Sequence, residues 1–371
     1  MEKNTAGYVK SFGNDSFEKR PFCKEDALIL SQISYLKFDT LMPVTSEEVI
    51  SLKELKESAG YENLYADFRY EKDNRHLLET MLESVRFSDI KVCFYINRIE
   101  GDAEMQFAAI TFLLPGALPF IAFRGTDETI VGWQEDFNMF TDKPIAGQKL
   151  SSKYINDVAS KISGDFNVGG HSKGGNLAMY SAMNCSPVVK DRINTIYSFD
   201  GPGFRPEVLK EYGYDEIKDR IVSVIPKSSL VGMLLASDEN SIVVESRAFG
   251  VLQHNPYTWI IEGGYMVETK LTKQHRMWIN SLNEWVLSLD KEELGDLIKV
   301  IQEALGGSGA ETTIEFSSES LKYLSNVVKN SKELDEETKQ LVQKSIKGFL
   351  DIAYSKVKNK ITREVKKITG K

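Results

Sequence analysis

Cysteine is scarce in this 371-residue chain, and the three that occur, Cys23, Cys93 and Cys185, lie far apart with no C-x-x-C pair and no Cys/His cluster. That spacing excludes a disulfide framework or a zinc site and leaves three small, weakly polar side chains expected in the interior. Positive charge is also short: 46 lysines and arginines stand against 54 aspartates and glutamates, a formal net charge of −8. Proteins that bind nucleic acid neutralise phosphates with basic surface, so the balance argues against that class. Long apolar runs are missing too, and none approaches the ~20 residues that a membrane-spanning helix needs. The opening stretch Met1-Glu2-Lys3-Asn4-Thr5 is polar and no apolar core follows it, unlike a secretory signal peptide, so a cytoplasmic location is expected. There is no internal repeat.

What the chain does contain is enough apolar material, 42% of residues, for one large core. Since single cores stop growing near ~250–300 residues, a main domain with an appended region is expected. Apolar residues at helical spacing predict a helix over Asp26–Phe38, with shorter ones over Ser46–Glu57 and Arg75–Ser84. Three β-rich runs follow at Lys91–Ile99, Met105–Leu114 and Leu118–Phe123, with Gly116 in the turn between the last two. After Gly125 helices and short strands alternate, as in a sheet of parallel βαβ units. Helices are expected at Leu150–Ile162 and Gly175–Met183, and strands at Asp165–Gly169, Ile193–Phe199, Arg220–Ile225 and Ser241–Ala248. Tyr257–Thr269, around Gly263-Gly264, reads as a β-hairpin. From Gln274 the pattern is helical again. Gly306-Gly307-Ser308-Gly309 is the clearest linker, dividing residues 1–305, with an N-terminal helical segment 1–88, from a helical tail 306–371 that ends in a basic stretch.

Gly170-His171-Ser172-Lys173-Gly174 is a G-x-S-x-G sequence at a predicted strand-to-helix junction. A serine lifted above a sheet on so sharp a turn needs glycine two residues to either side, or strand and helix collide. Chance would place the bare pattern in roughly one chain of this length in ten, so its weight comes from the apolar strand before it and the helix former run after it. The helix start also offers the Lys173 amide to an oxyanion on a substrate carbonyl. A second donor has to come from another loop, and Phe123-Arg124-Gly125-Thr126 could supply Thr126.

Ala122-Phe123-Arg124-Gly125-Thr126, then Trp133 and Asp136, then Gly170-His171-Ser172-Lys173-Gly174-Gly175 and Phe199-Asp200-Gly201-Pro202-Gly203 resemble the class 3 lipases in order and spacing. The likeness runs from about Gln106 to Tyr257, under half of the chain. Asp-Gly-Pro-Gly-Phe and Ser-Leu-Val-Gly-Met-Leu-Leu look most like a bacterial branch of that superfamily. The resemblance implies an α/β-hydrolase fold: a largely parallel central sheet flanked by helices, here with extra N-terminal helices and a C-terminal helical extension. It also implies Ser172 as nucleophile, the amides of Thr126 and Lys173 as oxyanion hole, and structural roles for Trp133 and Asp136, the latter beside Arg124.

Hydrolases of this fold run serine, acid, histidine in chain order, so the base lies downstream. His254 in a loop and His275 at a helix start both qualify; His254, which follows a strand, is preferred. His171 reads as a packed neighbour of the serine turn. At the position where the lipases carry their acid this chain has Ser229. Asp200 is the best substitute, with a turn-capping role as its alternative, and Asp238 and Glu239 are further candidates. Lys173 replaces a leucine of the lipases, either extending into solvent, the reading preferred here, or attracting an anionic acyl substrate. The segment Trp133–Ile145 could cover an acyl pocket or be a surface helix. Carboxylic ester hydrolysis through an acyl-serine, on a small-molecule ester or a lipid, is therefore expected, with no cofactor or metal; a non-catalytic hydrolase-fold scaffold is the alternative. Ile346, Phe349, Leu350, Ala353, Val357, Ile361, Val365 and Ile368 recur at helical spacing among basic residues, which fits docking on the body or on a second subunit, or contact with anionic lipid.

Overall fold

The computed structural model of the chain describes residues 2–42, 48–65, 70–100, 105–126, 144–235 and 240–289, with residues 135, 138, 139, 336 and 340 besides. The glycine linker and the tail helix positions named above lie outside the described residues, as do Trp133, Asp136, Asp238 and Glu239. Among the described residues no helix is long and apolar enough to cross a membrane.

Among the described residues eight strands form one sheet in the order in which they occur along the chain: β1 (Ile50–Ser51), β2 (Lys91–Glu100), β3 (Met105–Leu113), β4 (Phe120–Phe123), β5 (Phe166–His171), β6 (Ile193–Phe199), β7 (Ile221–Pro226) and β8 (Ile242–Val244). The first three pairings are antiparallel and the last four, β4 through β8, are parallel. This is an α/β-hydrolase fold with helices on both faces. The period-2 alternation of strand side chains divides the core into two layers. In β4, Phe120 and Ala122 enter one apolar cluster while Ile121 and Phe123 enter the other.

The N-terminal helices α1 (Thr5–Phe12), α2 (Lys24–Ile33), α3 (Leu52–Lys56) and α4 (Glu71–Leu82) belong to the first layer. The opposite layer holds α5 (Ala146–Ala159), α6 (Lys173–Asn184), α7 (Pro187–Asp191) and α8 (Pro206–Glu211), and α9 (Lys273–Ser288) follows the sheet in sequence. A helix that is apolar on one side only lies at a surface, whereas α2 is buried from Glu25 to Ile33, because it rests on β4, β5 and β6 and is overlaid by α1 and α4. The hairpin at Tyr257–Thr269 forms from two short strands, β9 (Ile261–Glu262) and β10 (Tyr265–Met266), with positive φ at both Gly263 and Gly264, as a type I′ turn requires.

Three predicted elements change. The helix expected over Asp26–Phe38 ends at Ile33, with Phe38–Thr40 forming a separate 3-10 turn. The helix expected over Ser46–Glu57 starts only at Leu52, because Ile50 and Ser51 pair with Val92 and Lys91 as the edge strand. Ser51 then caps the helix: its Oγ accepts from the Glu54 amide at 3.2 Å while Glu54 accepts from the Ser51 amide at 2.7 Å. The strand expected over Ser241–Ala248 stops at Val244, beyond which the chain bridges to Trp259 through Ser246 rather than to the sheet. Helix α1 was not expected from the sequence.

A buried ion pair holds the N-terminal segment together. Arg86 donates through Nε to Asp26 Oδ1 at 2.8 Å and through Nη2 to Oδ2 at 2.5 Å, with neither side chain exposed. Its remaining donors meet the carbonyls of Asp15, Ser16 and Arg20. Removing one partner of such a pair strands a charge in the interior, at about 3–5 kcal/mol. Arg86→Met is therefore expected to lower unfolding free energy by about that much in urea titration; a loss under about 1 kcal/mol would show that α2 docks without the pair.

Candidate active site

The carboxyl ends of β4 to β8 share one edge of the sheet, the edge at which open α/β sheets bind their ligands. There β5 runs into Ser172, whose backbone sits at φ 58°, ψ −132°, a region that L residues avoid at roughly 1–3 kcal/mol. The surroundings hold it in place. Its amide donates to the Phe199 carbonyl at 2.9 Å, its own carbonyl accepts from the Gly175 amide at 2.9 Å, and α6 behind it is buried over almost its whole length. The flanking glycines are a matter of space: a Cβ on Gly170 would come within 2.4 Å, and one on Gly174 within 2.1 Å, of the Phe123 carbonyl oxygen at the end of β4.

Ser172, His254 and Asp200 form one hydrogen-bonded chain. His254 ends a short 3-10 turn over Gly250–His254; its Nε2 meets Ser172 Oγ at 2.9 Å and its Nδ1 meets Asp200 Oδ2 at 2.6 Å. A carboxylate oxygen accepts, so Nδ1 carries the proton and Nε2 is left to accept from the serine hydroxyl. Asp200 follows β6 directly and is 1% exposed. Among the described residues five non-glycine positions have positive φ, and Ser172 and Asp200 are two of them. Strain of this kind concentrates where a side chain must be aimed rather than merely packed. Asp200 is bound on its other oxygen as well, Oδ1 accepting from Ser229 Oγ at 2.5 Å and from the Gly232 amide at 3.1 Å. Thus Ser229 contacts the carboxylate that is bonded to His254.

His275 lies in the first turn of α9. It is half-buried, and its Nε2 donates to the Ser229 carbonyl at 2.8 Å. Burial holds its imidazole below the ordinary histidine range, opposed by that hydrogen bond.

Lys173 departs from expectation: its side chain turns inward instead of into solvent. Nζ donates to Glu135 Oε2 at 2.8 Å and to the Gln106 carbonyl and Oε1 at 3.0 and 2.9 Å, and the ion pair is buried, with side-chain exposures of 0% and 1%. Glu135 accepts in addition from the amides of Gln106 at 3.1 Å and Gly147 at 2.8 Å. The pair therefore joins the starts of β3, α5 and α6, and this cation is spent inside the protein and not on an anionic substrate. Beneath the serine turn, Gln148 donates to Asn176, and Asn176 donates to the carbonyls of Pro202 and Gly203, which pins the loop that follows Asp200.

Thr126 is half-buried at the exit of β4, one residue beyond Gly125, where a Cβ would lie 2.6 Å from the His171 carbonyl; the strand exit and the serine turn are in contact. Arg124 donates through Nη2 to Asn97 Oδ1 at 3.0 Å. His171 stays outside the Ser172–His254–Asp200 chain and packs on it, ring centroid 4.6 Å from that of His254, with Nε2 donating to the His254 carbonyl at 2.8 Å. Its Nδ1 lies 3.1 Å from the Tyr35 hydroxyl. Tyr35 and Glu135 escaped the sequence reading. No motif surrounds Tyr35, and Glu135 fills an unspecified position between Trp133 and Asp136; only the tertiary fold brings the two to the serine turn.

The thiols of Cys93 and Cys185 are buried and pushed up to about 12 and about 11 by loss of solvent, which makes them poor nucleophiles. Among the described residues no group of three or more His, Cys, Asp or Glu side chains is arranged to hold a metal ion.

Among solved structures the chain is similar to M37 lipase, at 16% identity and TM-score 0.37, over 71% of this chain and 79% of that one. It is also similar to the native Rhizomucor miehei lipase propeptide complex, at 13% identity and TM-score 0.30, over 60% of this chain and 84% of that one. No curated protein matches it in sequence. Residues 81–303 match the model of the Mbeg1-like family. Because that match spans well over half of the sequence and encloses Ser172, Asp200 and His254, the chain belongs to the Mbeg1-like family.

Proposed function

We propose that the chain is a serine hydrolase that cleaves carboxylic esters, of small molecules or of lipids, through an acyl-serine intermediate. The observation that carries this reading is the unbroken relay Ser172 Oγ, His254, Asp200, at 2.9 and 2.6 Å. Ser172 attacks the ester carbonyl as His254 Nε2 takes its proton. The imidazolium so formed is held through Nδ1–H by Asp200 and then protonates the leaving alcohol. Water, deprotonated by the same nitrogen, releases the acid. The amides of Lys173 and Thr126 are the proposed donors to the oxyanion, Lys173 at the first residue of α6 and Thr126 at the exit of β4. A binding-only scaffold would draw support from Ser229 at the position of the lipase acid, and the Asp200–His254 hydrogen bond is what favours the catalytic reading over it.

A fluorophosphonate reacts with a serine activated by an aligned base. The wild-type chain is expected to label, and Ser172→Ala to abolish both labelling and p-nitrophenyl ester turnover; a folded wild type that stays unlabelled would sink the proposal. Asp200→Asn tests the acid. Ser229 Oγ–H and the Gly232 amide both donate to Oδ1, so an asparagine would keep its carbonyl oxygen there and turn its NH2 towards His254 Nδ1. The proton then belongs on Nε2, where the ring can no longer accept from serine. A fall in kcat of about 10³–10⁴-fold is expected without loss of the folding transition. A fall of less than about tenfold would exclude Asp200 as the acid.

A further inference from the structure

His254 sits in a loop rather than on a regular element, and Phe249 and Leu252 just before it are largely exposed, at 85% and 57%. Loops yield more readily than strands, so a base carried on one needs anchors. Gln253 provides some: its Oε1 accepts from the Ser228 amide at 2.9 Å, and its carbonyl accepts from Trp259 Nε1 at 2.7 Å. At His254 itself the anchor is His171. A carbonyl can only accept, so the 2.8 Å contact fixes a proton on His171 Nε2 and ties it to the backbone of the base, while the two imidazoles lie in contact, tilted by 34°.

His171 is held in turn by Tyr35, two residues past the end of α2. The phenol lies 3.1 Å from His171 Nδ1 and 3.3 Å from the His171 carbonyl. With Nε2 protonated, the neutral ring presents Nδ1 as acceptor and Tyr35 donates. The same oxygen presses against the exit of β4, where a Cβ on Gly125 would fall 2.1 Å from it. One hydroxyl from the N-terminal segment thus touches the residue before Ser172, the residue before Thr126 and, through His171, the backbone of His254.

We infer that Tyr35 and His171 are positioning residues that set the distance between His254 and Ser172, so that the stretch around Tyr35, which precedes the family match at 81–303, is a working part of the site. This rests on the serine hydrolase reading. Neither residue touches the reacting atoms. Their effect falls on the alignment of the base and hence on kcat, not on capture of the ester.

The test compares wild type, Tyr35→Phe, His171→Asn and the double variant, all as full chains, by fluorophosphonate labelling rate, by kcat and KM on a soluble p-nitrophenyl ester, and by thermal unfolding. Tyr35→Phe removes a single oxygen atom, so it reports on the contact even if His171→Asn folds poorly. Each single variant is expected to label and turn over about tenfold more slowly, with KM within about twofold of wild type. The double variant should be no slower than His171→Asn alone, because both residues act through one contact. Wild-type labelling and kcat in Tyr35→Phe would overturn the inference and leave the Ser172 hydrolase reading standing. So would independent, multiplying losses in the double variant. A wild type that fails to label would remove the reading beneath it, a different result from either.

Discussion

Everything at the candidate site depends on a turn that the backbone resists. Ser172 is held at a φ,ψ pair that side chains avoid, and it stays there because β4, β5, β6 and α6 leave no other path. The Phe123 carbonyl passes so close to Gly170 and Gly174 that no side chain fits at either position. The Phe199 carbonyl takes the Ser172 amide, and the Val224 carbonyl takes that of Asp200 in the same way one strand further on. Each strand end is stapled to its neighbour just where the chain leaves the sheet. That is how two strained residues can aim their side chains at a histidine arriving from a distant loop.

The position of the Asp200 carboxylate follows from that stapling. Asp200 leaves β6 already directed across the strand ends, and its carboxylate meets His254 on one oxygen and the loop after β7 on the other. A serine at position 229 is then suited to its place: an acid there would set a second negative charge against the buried Asp200, whereas a hydroxyl donates to it. The Lys173–Glu135 pair shows a similar exchange. Where the class 3 lipases carry an apolar side chain, this chain buries an ion pair whose attraction roughly offsets its own desolvation. The exchange is tolerable only because Gln106 and Gly147 supply the remaining hydrogen bonds. Neither residue of the pair can be replaced alone without stranding the other.

The sequence was readable where chemistry is local. Apolar alternation located the strands from Lys91 to Pro226 to within a residue or two, G-x-S-x-G located the turn, and Gly263-Gly264 the hairpin. It was less readable where the decision is made across the fold. Ile50 and Ser51 fit a helical pattern until Lys91 and Val92 offer backbone partners. Asp200 could not be told from a turn-capping aspartate, because what separates the two is the approach of a histidine 54 residues away. Lys173 at a helix start reads as solvent-facing, and only the partner that fills the space beneath the helix makes it internal. Tyr35 carries no signal at all, since its place is set by α2 lying under the strand ends, far from any motif.

The strand order has a bearing on how the molecule comes into being on the ribosome. Among the described residues no strand of the sheet is inserted between two earlier ones; each adds to the edge left by its predecessor. The sheet can thus be assembled from one side to the other as the chain emerges, N-terminal part first. Helix α2, Tyr35 and the serine turn would be in place while the partner of Ser172 is still unmade, because His254 comes 82 residues after the serine. A nascent chain stalled before that loop would hold a complete platform with an inert hydroxyl. Reactivity would arrive in one step, near the end of synthesis of the folded body.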